Sequence, residues 1–200
     1  MKRAAFVLLL FLSGCVVQSF GPFCSDQSLI YLKEVTGQWS LQTDYGDNVR
    51  TNAIRPWVFS GESATNCKLL AFDKQNNGAT FEARFFKLGN NVFVDVFPKD
   101  FADDAKVNAY WAWTVYPTHT VCKVELTDDK LTLKPLDYDW LKKNLDQHKV
   151  SLPYIGKLDD WVLFIASPEQ WEAFLAKQST NTEAFVEKHA FLLKKAASAK

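Results

Sequence analysis

The 200-residue chain has no excess of charge of either sign: 23 basic side chains meet 23 acidic ones. That excludes the basic stripe a nucleic-acid binder needs and the acidic tail of a solvating chaperone-like segment. Histidine is scarce, at three (His119, His148, His189), and the four cysteines contain no C-x-x-C pair. A zinc or dithiol redox site is therefore not expected, and no metal or cofactor is assigned. There is no G-x-S-x-G nucleophile elbow, no internal repeat and no low-complexity block. After the first dozen residues there is no second long apolar run, so no later stretch reads as a membrane-spanning helix.

What is present begins at the N-terminus. Met1-Lys2-Arg3 precedes an uninterrupted apolar run, residues 4–12 (AAFVLLLFL). Nine residues rise about 14 Å as a helix, against a hydrocarbon core of roughly 30 Å. A short apolar run behind a basic start is the pattern of a secretory signal. Its ending, Leu12-Ser13-Gly14-Cys15, resembles the lipobox of bacterial lipoproteins. That resemblance implies a signal peptide over 1–14, lipid on Cys15, and cleavage just before it. The alternative is an ordinary secretory signal in which Cys15 is incidental. In lipoproteins Val rather than Asp after the cysteine implies the outer membrane, facing the periplasm, if the host is diderm. Residues 15–26 then read as a lipidated tether, and residues 27–200 as one domain.

Three cysteines remain beyond Cys15. Cys122 alternates with Val124 and Leu126 and reads as inward-facing, so Cys24 with Cys67 is the expected bridge in an oxidising envelope.

The middle of the chain has a period of two. Residues 37–43 (GQWSLQT), 67–73 (CKLLAFD), 79–88 (ATFEARFFKL), 91–97 (NVFVDVF), 108–116 (NAYWAWTVY), 118–127 (THTVCKVELT) and 130–135 (KLTLKP) are joined by turn signals such as Asn77-Gly78 and Gly89-Asn90. They predict a mainly β fold: an antiparallel up-and-down meander closing into a barrel, followed by two to three C-terminal helices. The first helix is placed at 137–145. The second opens at Ser167-Pro168-Glu169-Gln170, where a capping box and a first-turn proline coincide. Residues 160–166 return as a strand between them. A third helix is placed from Thr182, with Phe185, Val186, His189, Leu192 and Leu193 on one side.

Gly37-Gln38-Trp39 at the first strand, the meander and the late helices together resemble lipocalins and the wider calycin group. The resemblance implies a barrel able to hold an apolar ligand. Lipocalins carry a late Arg packed over that Trp, and here no Arg follows Arg84. The stretches FKLGNNVFVDVFP, THTVCKVELTDDKLTLKPLD, DWLKKNL and FIASPEQWEAFLAK also look like a group of bacterial lipoproteins with no assigned activity.

Candidate site residues follow. Phe81, Phe85, Trp111 and Trp113 are walls for an apolar ligand, or else fillers of a solid core. Asp95 shares a face with Phe93 and Phe97, either as a carboxylate in an aromatic wall or as an exposed acid. His119 shares parity with Val121, Lys123 and Glu125, which places it outward or at the rim. His189 reads as a packed residue and His148 as a solvated one. No nucleophile–base set is visible, so the chain reads as non-catalytic. The expected function is a membrane-anchored envelope lipoprotein that binds a small hydrophobic molecule or lipid. The alternative is an envelope module with a filled core that docks a protein partner.

Overall fold

The computed structural model, which describes residues 16–42, 54–73, 76–100 and 116–196, has a closed antiparallel barrel of eight strands. Six of the period-two stretches supply strands to it, and the stretch 108–116 lies outside the described residues but for Tyr116. Seven strands follow one another as neighbours: β1 (Gly37–Gln42), β2 (Trp57–Gly61), β3 (Asn66–Phe72), β4 (Gly78–Leu88), β5 (Asn91–Asp100), β6 (Thr120–Leu126) and β7 (Lys130–Pro135). The chain then leaves the barrel. It forms α1 (Tyr138–Asp146), a two-stranded sheet of β8 (Tyr154–Gly156) and β9 (Val162–Phe164), and α2 (Pro168–Gln178). Finally β10 (Phe191–Lys195) enters between β7 and β1 and closes the barrel.

The antiparallel meander is therefore present, but its closure differs from expectation. Where the third helix was placed, a single 3-10 turn at Glu187–His189 is followed by β10. The helical spacing of Phe185, Val186, His189, Leu192 and Leu193 is overridden by the sheet. Without β10, β7 and β1 would each expose a row of unpaired peptide groups. Eight cross-strand residue pairs, Trp39 with Lys195 through Gln42 with Leu192 and Phe191 with Leu133 through Lys194 with Lys130, remove both edges. The two α-helices among the described residues thus precede β10 rather than follow the last barrel strand.

The barrel wall separates two cores. Trp39, Phe59, Leu69, Phe85, Val94, Val124, Leu131 and Leu193 pack inside. Phe86, Phe93 and Val121 face outward, where Leu141, Leu145, Phe164, Trp171, Leu175 and Phe185 cover them. The consecutive pair Phe85-Phe86 thus serves one core with each ring, both 2% exposed or less. Each large side chain so buried contributes roughly 1.5–3 kcal/mol. α2 begins as its sequence specifies: the Ser167 hydroxyl accepts from the Gln170 amide, and the Gln170 side chain accepts from the Ser167 amide. Trp171, Phe174 and Leu175 form its buried face.

One end of the barrel is closed. The 3-10 turn Lys33–Val35 lies beneath β1, with Val35 1% exposed, and the Trp39 indole donates to the Val35 carbonyl at 2.6 Å. The β2–β3, β4–β5 and β6–β7 hairpins turn at this end. The β3–β4 hairpin and the start of β6 lie at the other.

Residues 16–26, expected to form a tether, are part of the fold instead. Val17, Ser19, Phe23 and Cys24 are each 1% exposed or less. Ser19 exchanges both backbone hydrogen bonds with His119, and Phe20 donates to the Phe164 carbonyl. The segment then descends the outside of the barrel until Ile30 donates to the Phe85 carbonyl. Val17 and Phe23 reach the outer core there, and burying them beats leaving them in a solvated linker.

Candidate functional site

Parity divides the expected site residues between two faces. On β4, Phe81, Ala83 and Phe85 point into the barrel; on β6, Cys122 and Val124 do so, as their alternation predicted. Phe85 lies deep and buried, whereas Phe81 is half-buried towards the end opposite the Lys33–Val35 turn. There it joins Leu41, Trp57, Ala71 and Val96, all inward and half-buried. Trp57 and Phe191, on strands that flank β1, bring their rings to 5.4 Å. Sequence reasoning missed Trp57 because β2 is only five residues long, and missed Phe191 because it was assigned to a helix. The Trp57–Phe59 alternation was the available signal for the first.

At the closed end a cation completes the barrel. Lys195 is the register partner of Trp39, its Nζ stands 5.4 Å from the centroid of the indole, and it donates to the Glu34 carbonyl at 3.4 Å. A charge over the ring face is attracted by its quadrupole.

Asp95 and His119 lie on the opposite, outer face. They therefore do not share a site with Phe81 and Phe85. Asp95 is 1% exposed rather than a surface acid. His119 Nδ1 is 3.0 Å from each of its carboxylate oxygens, and the Phe23 amide donates to Oδ2 at 3.3 Å. The imidazole nitrogen and the carboxylate are thus joined by a hydrogen bond. Phe97 stacks on the imidazole with centroids 4.4 Å apart. The arrangement sets a part-buried imidazole against a buried carboxylate, the form of a base with its orienter, yet the adjacent hydroxyl is committed elsewhere. Ser19 Oγ accepts from the Trp171 indole at 3.1 Å and reaches the Phe164 carbonyl at 3.5 Å. What the pair does visibly is pin the N-terminal segment to the barrel through Phe23 and Ser19.

A second clasp holds the same segment. Glu172 Oε1 accepts from the Ser25 amide, the Ser25 hydroxyl and the Ser28 hydroxyl at 2.7–2.8 Å. Burial alone would raise this carboxyl, but the hydrogen bonds from Ser28 and Ser25 outweigh it and hold it below its ordinary value. Asp26 also pairs with Arg84 at 2.6 Å.

The expected bridge between Cys24 and Cys67 is not formed; both are free buried thiols, as is Cys122. Cys24 belongs to the outer core and Cys67 to the inner one, so the barrel wall stands between them. Burial pushes Cys24 and Cys122 up to about 12 and Cys67 to about 11. His189 sits on the 3-10 turn, 3.7 Å from Asp137, rather than on a helix face. His148 adopts a left-handed φ of 54° after α1 and lines a cavity of about 260 Å³ with Leu145, Leu152 and Tyr154.

Cys15, Trp111 and Trp113 lie outside the described residues. Among those described, no helix is long and apolar enough to cross a membrane. Compared with known proteins, the chain matches no family model, no curated protein and no solved structure.

Proposed function

We propose that this chain is a non-catalytic envelope lipoprotein, held to the membrane by lipid on Cys15, whose lipocalin-like barrel takes a small hydrophobic molecule or lipid at the end opposite the Lys33–Val35 turn. The observation that carries the ligand reading is the gradient of burial along the barrel. Trp39, Phe59 and Phe85 fill the closed half, while Leu41, Trp57, Phe81 and Val96 are inward, apolar and only half-buried. Half-buried aromatic walls without a charged group among them suit an apolar ligand. The lipocalin-like assignment is supported by Gly37-Gln38-Trp39 on the first strand and by the closed eight-strand meander. Lys195 over Trp39 supplies the late cation that the sequence lacks as Arg. The departure is the insertion of α1, β8, β9 and α2 ahead of the closing strand.

The filled closed half also favours the second reading, a protein-docking module, in which no ligand enters. Titrating purified, delipidated protein with a fluorescent fatty acid separates the two. Saturable binding near one site per chain, weakened at least tenfold by Phe81→Asp, supports the ligand reading. Binding no greater than to the urea-unfolded chain leaves the docking module standing.

A further inference from the structure

The small sheet outside the barrel has an apolar face that is largely exposed among the described residues. β8 pairs with β9, Phe164 of β9 bridges Ser19 in parallel, and Ser19 bridges His119. Alternation sorts its side chains. Val162, Phe164 and Ala166 point into the outer core, each 3% exposed or less, while Trp161, Leu163 and Ile165 alternate with them; Leu163, between the other two, is itself only 8% exposed. Trp161 and Ile165 are 49% and 48% exposed, Ile155 beside Leu163 is 48% exposed, and Phe20 beside Phe164 is 53% exposed. Tyr116, 72% exposed, stacks on Phe20 at 5.4 Å. Five of the seven large exposed hydrophobics among the described residues thus gather on one face; Tyr31 and Phe191 are the others. Dispersed singly such residues need no explanation, but a contiguous group marks a contact surface.

What covers this face follows from the chain end. Val16 is already held by a bridge to Asp137, and Val17 is 1% exposed. Cys15 is therefore one Cα step, about 3.8 Å, from a residue fixed in the fold. Phe20 is four residues further along, about 13 Å in extended chain. Lipid on Cys15 would enter a bilayer within that reach of the apolar face, with no linker to let the domain stand away. Trp and Tyr favour the boundary of headgroup and acyl chain, and Phe and Ile add apolar area that is buried just beneath it. We propose that Phe20, Tyr116, Ile155, Trp161 and Ile165 form a membrane-resting face that lays the barrel on the lipid surface. This inference rests on the lipoprotein reading above and adds an orientation to it: the barrel end opposite the Lys33–Val35 turn lies on the same side as the anchor.

The test uses the full chain, purified as its host processes it and reconstituted in phosphatidylethanolamine–phosphatidylglycerol vesicles. A spin label is placed at Ile165→Cys, at Ile155→Cys and, as control at the closed end, at Lys130→Cys. Collision with oxygen and with a water-soluble nickel chelate reports immersion. On vesicle binding, nickel access at both isoleucine positions is expected to fall several-fold while oxygen access rises, with Lys130 unchanged. Labels at 155 and 165 that stay in water on vesicle-bound, acylated protein overturn the proposal and leave the lipoprotein reading intact. Loss of access to both quenchers also overturns it, since a protein partner or second copy then covers the face. Intact mass reports acylation separately; an unacylated chain removes the lipoprotein reading and this proposal with it.

Discussion

Trp39 and Lys195 face each other across the seam where the first barrel strand meets the last, with Lys195 Nζ 5.4 Å from the centroid of the indole. The seam is held by two unequal effects. Trp39 is fully buried and its indole donates to Val35, whereas the Lys195 ammonium only stands over the ring. Trp39→Ala is expected to cost about 3–5 kcal/mol in urea unfolding. Lys195→Gln is expected to cost less than about 1 kcal/mol, the range of an exposed cation–π contact. Equal costs would show that the cation, not the ring, holds the seam.

The Asp95–His119 pair makes a different prediction. His119→Leu leaves a buried carboxylate with the Phe23 amide alone, and is expected to destabilise by about 3 kcal/mol. The double variant Asp95→Val with His119→Leu removes both polar groups and should recover most of that loss. Hydrogen exchange at the Phe23 and Ser19 amides should quicken in the single variant before the barrel strands do. Uniform quickening throughout would show that the pair supports the barrel rather than the N-terminal segment.

Acid should loosen that segment through Glu172. Its carboxyl is held below its ordinary value of 4.5 in the fold, so the stabilisation is present above that value and is lost as pH falls through the folded value. The stability difference between the native chain and Glu172→Gln, read from urea midpoints, should be constant near neutral pH and shrink below about pH 4.5. A difference that grows on acidification contradicts the clasp.

The buried thiols should be inert. With Cys24 and Cys122 pushed up to about 12 and Cys67 to about 11, the thiolate fraction at pH 8 is about 10⁻³ or less. Iodoacetamide should modify none of the three in the folded protein and all three in urea, as read by intact mass. A chain that resists alkylation in urea until it is reduced would restore the disulfide.

Much of the wall was readable from alternation alone. Cys122 with Val124, Phe81 with Phe85, and the turn at Gly89-Asn90 were all legible because each strand buries one set of side chains against a continuous core. The start of α2 was legible for a local reason too: Ser167, Pro168 and Gln170 satisfy the helix end within four residues. The errors have a common cause. Residues 187–195 and 16–26 carry weak local preference, and each was assigned by what it resembled in isolation. Their states are set by partners over a hundred residues away, β1 for the one and Phe164 and Trp171 for the other.

The sequence by itself therefore determined the mainly antiparallel β architecture, the cap of α2 and the inward side of most strands, since these depend on spacing between neighbouring residues. Only the tertiary structure decided which strand closes the barrel and that the N-terminal segment lies against it. It also decided that Asp95 and His119 meet outside the wall while Phe81 and Phe85 stay within. Those outcomes depend on which apolar surfaces and unpaired edges remain to be covered once the local elements have formed, and no spacing along the chain encodes that.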